Sequence, residues 1–204
     1  MKEIFTVWKS TRQIVIVALT AAVYAGMLIP FKAIPIIPGL TELRPGNVIP
    51  VFFGVLFGPA AAWGSAIGNL IADFFGTLSP ASAFGFAGNF FASYIAYRLW
   101  HILVKDVVVM NLRQTGIFVL VSVVSGFFCA LIIASGVQLL GLMPFKVLFT
   151  VIFINNSLMA SILGVILMKI LYRRIERTGL IYILPENGNR QRPLCPSPKN
   201  KSPH

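Results

Sequence analysis

The chain has 204 residues, 57% of them hydrophobic and only 11% charged, less than half the charged share of an average soluble domain. That balance excludes an ordinary soluble globular protein. Seventeen Lys and Arg against six Asp and Glu leave a formal charge of +11, which alone would suit nucleic acid. The basic residues, however, sit in short clusters between long apolar runs, as the cytoplasmic anchors of a membrane protein do.

A membrane span needs about 20 apolar residues in a helix, and the first such run covers residues 14–31. The next apolar region, 45–76, is split at Gly58-Pro59, because proline breaks a helix. It becomes a short second span, 47–57, and a third, 60–75. Pro80, Gly85 and Gly88 punctuate the connection to a fourth span, 84–103. A polar loop with Lys105, Asp106 and Arg113 follows, then a fifth span, 116–140. Met143-Pro144 marks the turn into the sixth, 147–171, which stops at Arg173, Arg174 and Arg177. The predicted architecture is an all-α integral membrane protein with six transmembrane helices. It comprises a cytoplasmic N-terminal segment, 1–13, a membrane domain, 14–175, and a tail, 176–204. The tail from Pro185 onward is rich in Pro, Asn, Lys and Ser, with almost nothing to bury, and is predicted to be disordered.

Basic residues set the orientation. With the N-terminus inside, all but Lys32, Arg44 and Lys146 of the 17 Lys and Arg fall on the cytoplasmic side, so both termini are expected in the cytoplasm. One rival reading applies to the first span. Lys2, Lys9 and Arg12 ahead of an apolar run ending in Val23-Tyr24-Ala25-Gly26 resemble a cleavable signal peptide. The run continues through Met27, Leu28, Ile29 and Phe31, long enough to span, which favours an uncleaved helix in the plasma membrane.

Two cysteines, Cys129 and Cys195, make neither a disulfide framework nor a thiolate metal site, and His101 and His204 add no metal ligand set. No Gly-Lys-Ser or Gly-Lys-Thr occurs, so there is no Walker loop for ATP. No cofactor is expected, and energy for any transport must come from elsewhere.

The third span carries the most informative pattern. Ala60, Gly64, Gly68, Ala72 and Gly76 recur every four residues and form a stripe along which another helix can approach closely. Beside it Ser65, Asn69 and Asp73 form a polar stripe. At 1.5 Å per residue Asp73 lies roughly 20 Å from the inner end of this span, where a carboxylate facing lipid would cost about 2.5 to 3.5 kcal/mol. It should therefore face the bundle interior or a wet cavity. Glu42, Arg44, Asn47, Asn89, Asn155 and Asn156 fall at the same level, and the inner half of the bundle has no comparable set. The expectation is a pocket open to the outside, lined by these residues with Asn69 and Asp73, and with aromatic walls available from Phe52, Phe53, Trp63, Phe74, Phe84, Phe90 and Tyr94. Plainer roles stand beside this one: asparagines as glue between helices, and Glu42 with Arg44 as an interfacial ion pair. In the first span Ala18 and Ala22, and again Ala21 and Ala25, form flat ribbons suited either to packing within the bundle or to docking a second protein.

Together these residues resemble a family. Ala18-Leu19-Thr20-Ala21-Ala22 in the first helix resembles the alanine motif of the substrate-binding S components of energy-coupling factor (ECF) transporters. So do Leu43-Arg44-Pro45-Gly46-Asn47, Gly54-Val55-Leu56-Phe57-Gly58-Pro59-Ala60 and Gly68-Asn69-Leu70-Ile71-Ala72-Asp73. The likeness covers residues 10–175. It implies the substrate-capture subunit of an ATP-dependent importer that binds a small polar vitamin or vitamin precursor at the outer face. A transmembrane coupling protein and two cytoplasmic ATPases would be its partners, and it would topple in the membrane to release substrate inside. It further implies that Ala18 and Ala22, with Ala21 and Ala25, dock onto the coupling protein, and that the loop 35–44 lids the pocket. The surroundings of Arg44 and Asn47 resemble the group that takes up queuosine precursors, while no residue singles out a deazapurine over thiamin, pantothenate or a pyridine. Two other functions remain open on the residues alone: a membrane enzyme using Asp73 and Glu42 as acid and base, which lacks positioned partners, and an assembly or channel subunit without a ligand.

Overall fold

The structure, a computed structural model, describes residues 2–33, 35–37, 41–42, 44–76, 78–104 and 111–177. The expected disorder of the tail concerns residues outside these. Seven α-helices follow in order among the described residues: α1 (Lys2–Thr6), α2 (Thr11–Leu28), α3 (Val48–Phe57), α4 (Pro59–Asp73), α5 (Ser82–Leu103), α6 (Leu112–Leu139) and α7 (Phe145–Arg177). Two short strands, β1 (Pro35–Ile37) and β2 (Thr41–Glu42), pair antiparallel between α2 and α3, a small addition to the all-α expectation. Short 3-10 turns occupy Val7–Lys9, Ile29–Ala33 and Pro45–Asn47.

Helix ends follow local chemistry. Gly58 ends α3 with φ 59° and ψ −134°, a left-handed conformation that costs glycine no clash with a Cβ, and Pro59 then opens α4, where its missing N–H is not needed. The break expected at Gly58-Pro59 is where the structure puts it. Helix α6 starts four residues before the predicted span because the Asn111 side chain accepts the Gln114 backbone N–H at 2.8 Å, an N-cap. Arg113 therefore sits in the first turn of α6 rather than in a loop; Lys105 and Asp106 lie outside the described residues. Helix α7 likewise carries Arg173 and Arg174 within it instead of stopping before them.

Among the described residues, three stretches are long and apolar enough to cross a membrane: Thr11–Phe31, Leu112–Leu139 and Phe145–Ile175. The predicted second and third spans correspond to α3 and α4, of 10 and 15 residues, shorter than the roughly 20 that a hydrocarbon core requires. Helix α3 is enclosed, every residue but Phe53 being buried. Around it α2, α4, α5, α6 and α7 pack in succession. The main core gathers on α3 through Phe52, Val55 and Leu56 with Tyr24, Trp100, Phe118 and Met168. A second apolar cluster, Ala130, Ala134, Val137, Leu148 and Ile152, joins α6 to α7.

The stripe of small residues on α4 meets α2. A Cβ built on Gly64 would lie 2.5 Å from Thr20 Cβ, so the helices touch almost backbone to backbone, as small-residue stripes permit. This contact uses the Thr20, Ala21 and Tyr24 side of α2. Ala21 and Ala25 are buried there, while Ala18 and Ala22 lie on the exposed side with Ile14, Val15, Leu19 and Gly26.

Candidate functional site

At one end of the bundle α2, α4 and α6 finish and α3, α5 and α7 begin, and the polar residues converge there. A cavity of about 620 Å³, counted out to its open mouth, is lined by Arg44, Asn47, Asn69, Asp73, Ser79, Ala81, Ser82, Gly85, Asn89, Cys129, Ile133, Val137, Leu148, Ile152 and Asn156. One wall is polar and belongs to the Arg44–Asn47 turn and to the ends of α4 and α5. The facing wall is aliphatic and comes from the cluster between α6 and α7.

Along the polar wall, Arg44 Nη1 donates to Asn69 Oδ1 at 3.2 Å, and Asn69 Nδ2 donates to Asp73 Oδ2 at 3.2 Å. Asn69 thus stands between a cation and an anion with each end of its amide matched to the charge beside it. The i, i+4 spacing on α4 brings Asn69 to Asp73, and both are almost fully buried, at 1% and 5% exposure. Gly85 makes room for them: a Cβ there would come 2.8 Å from Asn69 Nδ2. At the floor, the Tyr24 hydroxyl lies 2.9 Å from Asn47 Oδ1 and 2.8 Å from Asn89 Oδ1. Asn47 is also bonded to Asn156, and Asn89 Nδ2 donates to the Gly85 carbonyl at 2.8 Å. Among the described residues no group of His, Cys, Asp and Glu is placed to hold a metal ion.

The QueT transporter family model matches residues 14–173. The chain belongs to the QueT transporter family. QueT transporters are S components of ECF transporters, so the resemblance read from the first helix, the Arg44 turn and the Gly68–Asp73 motif holds. Membership puts the chain among membrane transporters rather than enzymes. No curated protein and no solved structure matches it.

The QueT match begins at the first residue of the predicted first span and ends at Arg173, so it takes in the whole pocket. Six of the eight residues expected there line it: Arg44, Asn47, Asn69, Asp73, Asn89 and Asn156. Asn155 is buried, but it is not among the lining residues. Glu42 contributes its backbone to β2, and its side chain lies outside the described residues. None of the seven aromatic residues expected as walls lines this cavity. Trp63 meets Phe90 edge-on and Phe90 stacks on Tyr94 along α4 and α5, Trp63 also meeting Trp8, while Phe52 is in the main core and Phe74 is exposed. Tyr24, Ser79, Ser82, Cys129 and the four aliphatic residues of the opposite wall were not singled out from the sequence. Only Tyr24 left a signal there, a hydroxyl four residues after Thr20 on the face that carries Ala21 and Ala25.

Proposed function

We propose that this protein is the substrate-capture subunit of an ECF-type importer and binds a queuosine precursor of the 7-deazaguanine type. The observation that supports this reading is the Arg44–Asn69–Asp73 relay, set with three further amides opposite an aliphatic wall in a QueT transporter. A guanine-like base presents adjacent N–H donors beside a carbonyl acceptor. Asp73, acceptor-only when ionised, suits the paired donors, and Arg44 and the amides suit the carbonyl. Ile133, Val137, Leu148 and Ile152 then cover the flat ring. The protein would not act alone: a transmembrane coupling protein and two cytoplasmic ATPases would bind it and hydrolyse ATP.

In this reading all of α2 to α7 lie in the plasma membrane as six membrane helices, both termini are cytoplasmic, and the pocket opens outward. The short hairpin in loop 35–44 leads into Arg44 and closes over the ligand. Ala18 and Ala22, on the exposed side of α2, dock the coupling protein; Ala21 and Ala25, on the buried side, set the depth of the α2–α4 contact. Calorimetric titration of the purified protein in nanodiscs tests the substrate. Saturable binding of 7-aminomethyl-7-deazaguanine is expected, with none for thiamin or pantothenate. Binding of either of those instead would replace the substrate, and binding of none of the three would remove the reading.

A further inference from the structure

Residues 2–9 fall in the segment expected in the cytoplasm, yet they are fastened along the flank of the bundle at the end away from the pocket. Extended backbone at Ser10, φ −121° and ψ 118°, separates them from α2. Going back from the start of α2, they reach α4 first and α5 second. Trp8 meets the Trp63 ring edge-on at 5.7 Å, Trp63 Nε1 donates to the Ile4 carbonyl at 3.0 Å, and the Tyr97 hydroxyl donates to Glu3 at 3.2 Å. The segment therefore runs across the helices and not along them. Both helices are met at a similar depth. Trp63 is four residues, about 6 Å, in from Pro59 at the start of α4, and Arg98 is five residues, about 8 Å, in from Leu103 at the end of α5.

The side turned to the bundle uses Glu3, Ile4 and Val7, of which Val7 is fully buried. On the side turned away, Phe5 is 70% and Trp8 46% exposed, and Lys9 and Arg12 are exposed beside them. Aromatic rings with basic neighbours are what a segment lying in a membrane interface presents. The helix it crosses also needs such a neighbour. Helix α4 has 15 residues, about 22 Å at 1.5 Å per residue, against about 30 Å of hydrocarbon. Beside so short a helix the bilayer must thin, unless apolar protein fills the shortfall. We infer that residues 2–9 lie in the plane of the membrane at its inner interface, with Phe5 and Trp8 among the acyl chains and Lys9 and Arg12 on anionic phospholipid headgroups. The sign of the charge selects that occupant. Glu3 is the sole acid before Glu42, and its carboxylate is turned to Tyr97 and Arg98, so it does not oppose an anionic surface. In the proposed orientation this is the cytoplasmic leaflet, which carries the anionic lipids. The segment thus makes the stability of the bundle depend on lipid charge.

Two measurements on the full chain in nanodiscs test this, and neither needs the transported ligand. In a Cys129→Ser, Cys195→Ser background, a nitroxide attached through Phe5→Cys reports depth. It should collide more often with molecular oxygen, which concentrates among acyl chains, than with a water-soluble nickel chelate. The reverse order would put residue 5 in water, leave this face to a protein partner, and overturn the inference. The second measurement uses the unlabelled chain and so stands even if the labelled variant does not fold. Its unfolding midpoint is compared between phosphatidylcholine nanodiscs and nanodiscs that also contain phosphatidylglycerol. Because both leaflets then carry the same lipid, the result does not depend on which way the protein faces. The anionic lipid should raise the midpoint by a few degrees, and Lys9→Gln with Arg12→Gln should remove about half of that rise, the other basic residues keeping the rest. No rise in the parent, or a rise that the two substitutions leave whole, overturns the headgroup contact.

Discussion

Gly68 of α4 lies so close to Ala21 of α2 that a Cβ built on it would stand 2.8 Å from the Ala21 carbonyl oxygen. The obstacle is backbone, which no side-chain rotation can clear. Gly68→Val is therefore expected to push α2 and α4 apart and cost about 1 to 3 kcal/mol, the usual range for overpacking. Thermal unfolding in detergent reads this as a lowered midpoint. An unchanged midpoint would mean that the two helices do not approach as closely as the glycine stripe requires.

Asp73 and Asn69 separate binding from folding. Asp73→Asn keeps the shape of the side chain and removes its charge, so the ligand should lose one charge-assisted hydrogen bond, about 1.5 to 3 kcal/mol. That corresponds to roughly ten-fold to a hundred-fold in affinity, with the unfolding midpoint almost unmoved. Asn69→Leu should weaken binding and lower stability together, because Asn69 receives Arg44 and donates to Asp73. Full affinity in Asp73→Asn would take this carboxylate out of the site.

The polar half of the pocket was legible in the sequence because polarity inside a membrane helix is costly and therefore visible. Asn69 and Asp73 announced themselves by i, i+4 spacing, Asn89 by standing alone in an apolar run, and Asn156 as half of the Asn155-Asn156 pair in another. The aliphatic half was not legible. Ile133, Val137, Leu148 and Ile152 belong to helices apolar throughout, and only packing decides that these four face the cavity. The aromatic residues misled for the same reason, since ring content says nothing of direction; Trp63 and Phe90 found each other at 5.0 Å. The alanine ribbons of the first helix were visible as two pairs. Their division, Ala21 and Ala25 inward and Ala18 and Ala22 outward, follows from α4 pressing on one side only.

The N-terminal segment is tied to the far end of the bundle. Trp63 Nε1 donates to the Ile4 carbonyl at 3.0 Å, the Trp8 and Trp63 rings meet edge-on at 5.7 Å, and Val7 is fully buried. Tyr97 Oη donates to Glu3 Oε2 at 3.2 Å, and Arg98 lies 3.9 Å from the same carboxylate. With the Arg98 side chain 45% exposed, that ion pair contributes at most about 1 kcal/mol, so Glu3→Gln alone should change little. Removing residues 2–9 should lower the unfolding midpoint by several degrees through the lost burial of Val7 and the lost Trp8–Trp63 contact, leaving ligand affinity intact because the pocket is at the opposite end. A loss of affinity in the truncated protein would tie this segment to the pocket after all.

Ala18 and Ala21 are about one turn apart on α2 and lie on either side of the edge of the α2–α4 contact: Ala21 is 4% exposed against α4, and Ala18 is exposed. The same substitution should therefore fail differently at the two positions. Ala21→Trp places an indole where α4 leaves no room, and the protein should lose stability and ligand affinity together. Ala18→Trp adds bulk to a surface that nothing in the bundle covers, so the isolated protein should keep its unfolding midpoint and its affinity. A docking helix, however, tolerates no added bulk at a small-residue contact, and co-purification with a coupling protein and uptake by cells should both be abolished. Ala22→Trp, one turn further along the exposed side, should behave as Ala18→Trp does. Affinity, complex formation and uptake measured on the same three variants separate packing from docking. Normal complexes and normal uptake with Ala18→Trp and Ala22→Trp would remove this face of α2 as the docking surface.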